Sequence, residues 1–185
     1  ADDGKEIQVK RIYNRVIFDE LLGRKDLDLK FAFTDDLDLK WVGHPNWFFR
    51  ISKYTMPYIR TEYMPQTLFL DQVTHIPEDL ENYVLKPLYS FSGSGVVFHV
   101  KPEDIAAVKD PSQYILQEKV KYVPVIKTYD NDAVKVEVRI MLIWPDGAPK
   151  PIIVNKLARL SKGEMIGVKF NKDKTWVGGS VGFYE

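Results

Sequence analysis

Apolar and polar positions change their period several times along this chain, and the changes mark out its elements. Over residues 6–22, EIQVKRIYNRVIFDELL, the apolar positions Ile7, Ile12, Val16, Leu21 and their apolar neighbours recur at mixed three- and four-residue spacing. That spacing predicts a helix from about Gln8, ended by Gly23. Residues 29–33 and 40–42 read as short strands. Gly43-His44-Pro45 reads as a turn, and Asn46 as the N-cap of a helix running toward Tyr54 and stopping before Pro57. Pro65-Gln66-Thr67 leads into a strand at 68–70, and residues 76–80 suggest one helical turn.

Strand patterns dominate afterwards: 83–100 as a hairpin, then 114–120, 133–144, 152–160 and 165–170, with a short helix at about 102–108 and a restart at 111–113. The longest strand alternates. Val134, Val136, Val138 and Ile140 point one way, and Lys135, Glu137, Arg139 and Met141 the other. Joined through Pro145-Asp146-Gly147, the next strand puts Ile153, Asn155, Leu157 and Arg159 on one face. Paired as a hairpin, the two would present Glu137, Arg139, Asn155 and Arg159 to a common cleft. The plain alternative is a solvated face whose ion pair contributes at most about 1 kcal/mol.

Residues 83–100, YVLKPLYSFSGSGVVFHV, combine a strand bearing Lys86 with a tip of small residues and a second β-branched strand at 96–100. Gly93 and Gly95 can take positive φ and bring backbone N–H groups near an anion, while Ser90, Ser92 and Ser94 add hydroxyl donors. Lys86 adds a point charge beside them, so a phosphate would meet several charge-assisted donors. An ordinary hairpin loop near a lysine is the alternative. The P-loop is excluded because the lysine precedes the glycines, and the dinucleotide fingerprint because no helix pattern follows them.

Composition narrows the partners. Lys plus Arg and Asp plus Glu number 26 each in 185 residues, giving no basic excess that would point to nucleic acid or an anionic membrane. The absence of cysteine excludes disulfides and thiolate metal sites, and no apolar run is long enough to span a membrane. The N-terminus has no signal-peptide pattern, so a cytoplasmic protein is expected. His44, His75 and His99 lack ligand spacing and read as structural. Trp47-Phe48-Phe49 reads as core packing. Lys162, Lys169, Lys172 and Lys174 read as a solvated edge, with attraction of an acidic substrate as the alternative. Serine hydrolysis lacks a G-x-S-x-G elbow.

The order of these pieces over about residues 53–180 resembles the ATP-grasp family. The matching motifs are RISKYTMP, MPQTLFL, VLKP with YSFSGSGVV, ILQEKV, VEVRIML and ARLSKGEMIGVKFNKDKTWVGGS. The resemblance implies an α+β fold of largely antiparallel sheets with flanking helices. It implies an N-terminal portion at 1–56 and a nucleotide-binding region at 57–185, itself divided into a lid-bearing part, 57–112, and a C-terminal part, 113–185. Lys53 would contact the cofactor and Lys86 its α/β-phosphates, with Ser92, Gly93, Ser94 and Gly95 closing over the β/γ-phosphates. Gln117, Glu118 and Val120 would meet the purine, Asn171 would contact the cofactor, and Gly178 and Gly179 match the family's glycine pair. Arg139 and Arg159 would steady the transferred phosphoryl group, and Glu137 is the candidate Mg²⁺ ligand.

The implied activity is ATP- and Mg²⁺-dependent ligation, in which a carboxylate is activated as an acyl phosphate for attack by an amine or thiol. The implied partners are ATP, a small-molecule or peptide carboxylate and, as an assembly, a homodimer. One departure stands out. The family's acidic residue and Glu-x-Asn pair for Mg²⁺ come after the glycine pair, whereas this chain has six residues after Gly179. Three readings stay open: a fragment of a larger ligase, which the start without methionine favours; Glu137 in the metal role; or a catalytically silent nucleotide-binding or interaction module. A β-rich scaffold with a merely structural hairpin is the remaining alternative.

Overall fold

Ile115 and Leu116 have no exposed surface, and the strand that carries them organises the first of two units, Ala1–Lys119 and Val120–Glu185. The computed structural model describes residues 3–167 and 170–183. In chain order the first unit holds β1 (Arg11–Tyr13), α1 (Phe18–Gly23), β2 (Lys40–Val42), α2 (Trp47–Arg50), β3 (Thr67–Phe69), β4 (Tyr83–Pro87), α3 (Pro102–Ala106) and β5 (Tyr114–Glu118). Single 3-10 segments lie at Lys53–Tyr58, Leu70–Gln72, Leu80–Asn82 and Pro111–Gln113. The second unit holds β6 (Ile126–Lys127), β7 (Ala133–Ile143), β8 (Ile152–Ser161) and β9 (Gly178–Val181). The fold is mixed α and β, with largely antiparallel sheets and short helices, in keeping with the expected α+β class. The division at 119/120 stands beside the expected boundaries at 56/57 and 112/113.

In the first unit β5 lies between β3 and β4, antiparallel to both. Register places Thr67 and Val84 opposite Gln117, and Phe69 and Lys86 opposite Ile115, so these six residues share one face. Leu85 and Leu116 lie on the other. There they pack with Leu70, Leu80 and Val100, and Ile105 and Val108 close over them. On the first face Phe69, Ile115 and Leu88 pack with Met56 and Tyr89. Each fully buried leucine or isoleucine contributes about 1.5–3 kcal/mol, so this small sheet is held by apolar contact on both sides.

In the second unit the strand order is β6-β7-β8-β9. The long β7–β8 hairpin forms as its alternation requires, with Glu137 opposite Arg159, Arg139 opposite Leu157 and Met141 opposite Asn155. The turn is closed by the Ala148 N–H donating to the Pro145 carbonyl (3.1 Å), with Gly147 at φ 76°. Among the described residues β6 pairs with β7 only at Ala133 and Val134, so the outer edge of β7 beyond them is open. No helix among the described residues is long and apolar enough to cross a membrane.

Several predicted elements are shorter or absent. The helix predicted from Gln8 forms only as α1; the β-branched stretch before it is extended and contributes β1, which pairs in parallel with β2. Residues 29–33 form no strand: the Asp35 carboxylate accepts from the Ala32 N–H (2.8 Å) and folds the segment into a turn. The helix expected toward Tyr54 stops at Arg50 because the Ser52 hydroxyl donates to the Phe49 carbonyl (2.6 Å) and accepts from the Tyr54 N–H (3.2 Å), starting a new segment that contains Pro57. Asn46 occupies the N-cap position without a side-chain bond. The strand expected at 96–100 reduces to one bridge, Val97 with Leu85, before the chain turns toward the α3 cap at Lys101. No strand forms at 165–167, and residues 168 and 169 lie outside the described residues.

Leu116→Ala is expected to lower unfolding free energy by about 2–5 kcal/mol in urea denaturation, whereas Leu22→Ala, at an exposed helix position, should change it by no more than about 0.5 kcal/mol.

Candidate functional site

Alternation along β4 places Lys86 on the sheet face that also carries Phe69 and Ile115, so its amine emerges beside apolar side chains. Its Nζ donates to Gln117 Oε1 (2.5 Å). Gln117 is buried, and its Nε2 donates to Thr67 Oγ1 (2.7 Å), which donates to the Pro65 carbonyl (3.0 Å). Each donor in this chain fixes the next, so the Gln117 carbonyl is held facing the lysine. Lys53, at the start of the segment capped by Ser52, donates to the Ser90 carbonyl (2.8 Å) and Ser90 Oγ (2.9 Å). Burial, and then the nearby Lys53 charge, hold the Lys86 amine below the usual lysine range. Two like charges thus meet at a half-buried face.

The glycine-rich tip adopts the expected backbone. Gly93 and Gly95 have φ of 76° and 68°, and Ser92 joins them at 51°. A Cβ on Gly95 would sit 2.8 Å from Pro87 Cγ, so the loop folds tightly against the residue after Lys86. The Ser94 and Val96 N–H groups close turns onto Phe91 and Gly93. Those of Gly93 and Gly95 take no partner among the described residues, and the tip is exposed. Turns that mix left-handed residues with ordinary ones can make a concavity whose backbone N–H groups face an anion.

The residues expected at the purine lie at the end of β5 and just beyond it. The Gln117 side chain positions Lys86, as above. The Glu118 N–H donates to the Gln66 carbonyl (2.9 Å), and its carboxylate accepts from the Gln66 N–H (3.3 Å), extending the β3–β5 pairing. Val120 is exposed and belongs to the second unit. Thr67 was legible only as part of MPQTLFL; its bond to Gln117 is visible once register is known.

The second unit gathers another group. Glu137 Oε1 accepts from Arg159 Nη1 (3.0 Å) and Arg139 Nη2 (3.5 Å), and Arg159 Nη2 donates to the Ile166 carbonyl (2.9 Å). Arg139, Arg159 and Lys172 line a cavity of 440 Å³ that Gly178 and Gly179 also border. Three cations against one carboxylate suit an anion. Asn155, expected on this face, does not line the cavity. Burial, and then the Glu137 charge, push the Tyr122 phenol up, with Arg159 opposing; nothing in the sequence pattern had pointed to Tyr122.

Asn171 borders the same cavity with its amide committed elsewhere. Its oxygen accepts from Ser161 Oγ (3.1 Å) and from the Lys162 (3.0 Å) and Gly163 (2.9 Å) N–H groups, while Nδ2 donates to the Gly167 carbonyl (2.7 Å). It shapes the loop after β8. The residues do not fit a metal as arranged: the Glu137 oxygen that faces the arginines is neutralised, and no three His, Asp or Glu side chains gather for a cation among the described residues. Lys162 bridges Asp130 (3.3 Å) and Asp132 (2.8 Å), and Lys169 lies outside the described residues.

Compared with known proteins, the chain matches no family model, no curated protein and no solved structure.

The lowered Lys86 pKa gives a signed test. An unfolded lysine keeps its proton to about pH 10.4, while the folded one releases it earlier. Between those values the unfolded chain binds more protons, so stability rises with pH. Below the folded pKa the cost of the buried charge is present in full. Urea unfolding from neutral pH to pH 10 should show this rise in the native chain and a flatter profile in Lys86→Met; parallel profiles would refute the buried-charge assignment.

Proposed function

We propose that this chain is an ATP-binding protein of the ATP-grasp kind that activates a carboxylate. The carrying observation is Lys86 on a half-buried sheet face, with Lys53 on the adjoining 3-10 segment near enough to depress its amine, and the positive-φ tip folded against Pro87. Holding two ammonium groups together at a desolvated face is unfavourable, and a polyphosphate offsets that repulsion with charge-assisted hydrogen bonds. The Gly93 and Gly95 N–H groups add donors that carry no formal charge. The order of the sequence motifs supports ATP over a simple phosphate.

In this reading Arg139 and Arg159 serve the transferred phosphoryl group, and their orientation by Glu137 is the support for it. A carboxylate oxygen of the acid attacks the γ-phosphorus, the bond to the β-phosphate oxygen breaks, and ADP leaves. An amine or thiol then attacks the acyl carbon, inorganic phosphate departs, and the nucleophile loses its proton. The Mg²⁺ that the resemblance implies is left without assigned ligands here, because Glu137 is engaged by both arginines. That same observation favours a second reading, nucleotide binding without turnover.

Calorimetric titration with a non-hydrolysable ATP analogue tests the first step. Lys86→Ala should weaken binding about 10- to 100-fold, the loss of one hydrogen bond to a charged group, and unchanged affinity would overturn the assignment. Affinity should also fall as pH rises through the depressed Lys86 pKa, because the neutral amine loses its attraction for phosphate. Arg139→Ala should leave analogue binding near normal while abolishing acid-dependent ADP release; ADP release at the native rate in that variant would remove Arg139 from catalysis.

A further inference from the structure

Beside Lys53 lies a cavity of 210 Å³ that borders the core at Leu88 and Tyr89 and shares the Lys53 ammonium with the proposed phosphate site. Its apolar walls are Phe48, Ile51, Leu88, Tyr89 and Phe91, from α2 and its continuation and from the segment that follows β4. Phe48 and Phe91 stack with centroids 5.2 Å apart and an interplanar angle of 26°, and Tyr89 leans on Phe48 at 6.2 Å. Leu88 is buried, whereas Ile51 and Phe91 are exposed at the rim, so the cavity has a dry floor and an open mouth. The polar wall is confined to Ser52, Lys53 and Ser90. Ser90 Oγ accepts from Lys53 and keeps its own proton to donate.

We infer that this cavity binds a small aromatic carboxylate, its ring against Phe48, Tyr89 and Phe91 and its anionic end toward Lys53 and Ser90. Size agrees with the chemistry: an apolar cavity of about 150 Å³ already takes up benzene, and the additional space admits a carboxylate or a short acetic arm. Rings packed edge-on or offset gain about 0.5–1.5 kcal/mol beyond area burial, so the walls discriminate in favour of an aromatic acid over an aliphatic one. The Lys53 charge discriminates against a neutral ring. The role of this ligand as the acid to be activated rests on the function proposed above; the binding itself does not.

The experiment is calorimetric titration of the full chain, free of nucleotide, with benzoate, phenylacetate, benzyl alcohol and acetate. Saturable binding of benzoate or phenylacetate is expected, with benzyl alcohol and acetate each about tenfold weaker or more, as loss of a charge-assisted contact or of the ring requires. Phe91→Ala, whose fold is checked by circular dichroism and urea unfolding, should weaken the aromatic acids about tenfold. Equal affinity for benzoate and benzyl alcohol, no saturation at millimolar concentration, or unchanged acid affinity in a folded Phe91→Ala variant would overturn the pocket. Acid binding with no ATP-analogue binding would sink the nucleotide reading and leave the pocket standing; the reverse result would do the opposite.

Discussion

A lysine ammonium on the same sheet face as Phe69 and Ile115 is the constraint around which the first unit is arranged. A charge at such a place is unfavourable unless polar atoms turn toward it, and the core has room for few of them. Gln117 meets the need from β5, the strand buried on both faces, and is itself restrained by Thr67 from β3. All three strands of the small sheet therefore contribute to holding one amine. Changing the register of any strand by one residue would turn its partner to the opposite face.

The β-sheet part of this organisation was legible because alternation survives burial. The face shared by Glu137, Arg139 and Arg159 follows from period-2 reading of two long strands, and the pairing Glu137 with Arg159 is its direct product. Gly93 and Gly95 were equally readable, since a tight tip needs residues that tolerate positive φ. The roles of Gln117 and Asn171 were not. Both are amides whose partners come from register or loop closure, Thr67 for one and the 161–163 backbone for the other. No local pattern carries that information.

The N-terminal segment misled for a different reason. Residues spaced for an amphipathic helix were also β-branched, and the availability of a parallel partner in Lys40–Val42 decided for the extended form at Arg11–Tyr13. Of the aromatic residues expected as core in α2, Trp47 and Phe49 are exposed, and Phe48 instead ends a chain of ring contacts that runs from Phe31 through Phe33 and Phe18. Rings of this kind tolerate irregular backbone, because each contact is set by two side chains and not by a shared period.

The open outer edge of β7 has a consequence for how the protein behaves at high concentration. Val138, Ile140 and Leu142 stand exposed along a strand whose backbone donors and acceptors face outward, which is a template for unwanted strand addition between molecules. Lys135, Glu137 and Arg139 alternate with that row and put charges of both signs on the other face of the same edge strand. Residues that orient a candidate anion site therefore also act as gatekeepers against aggregation. Neutralising them in search of a function would trade colloidal stability for information, and solubility should be followed alongside activity.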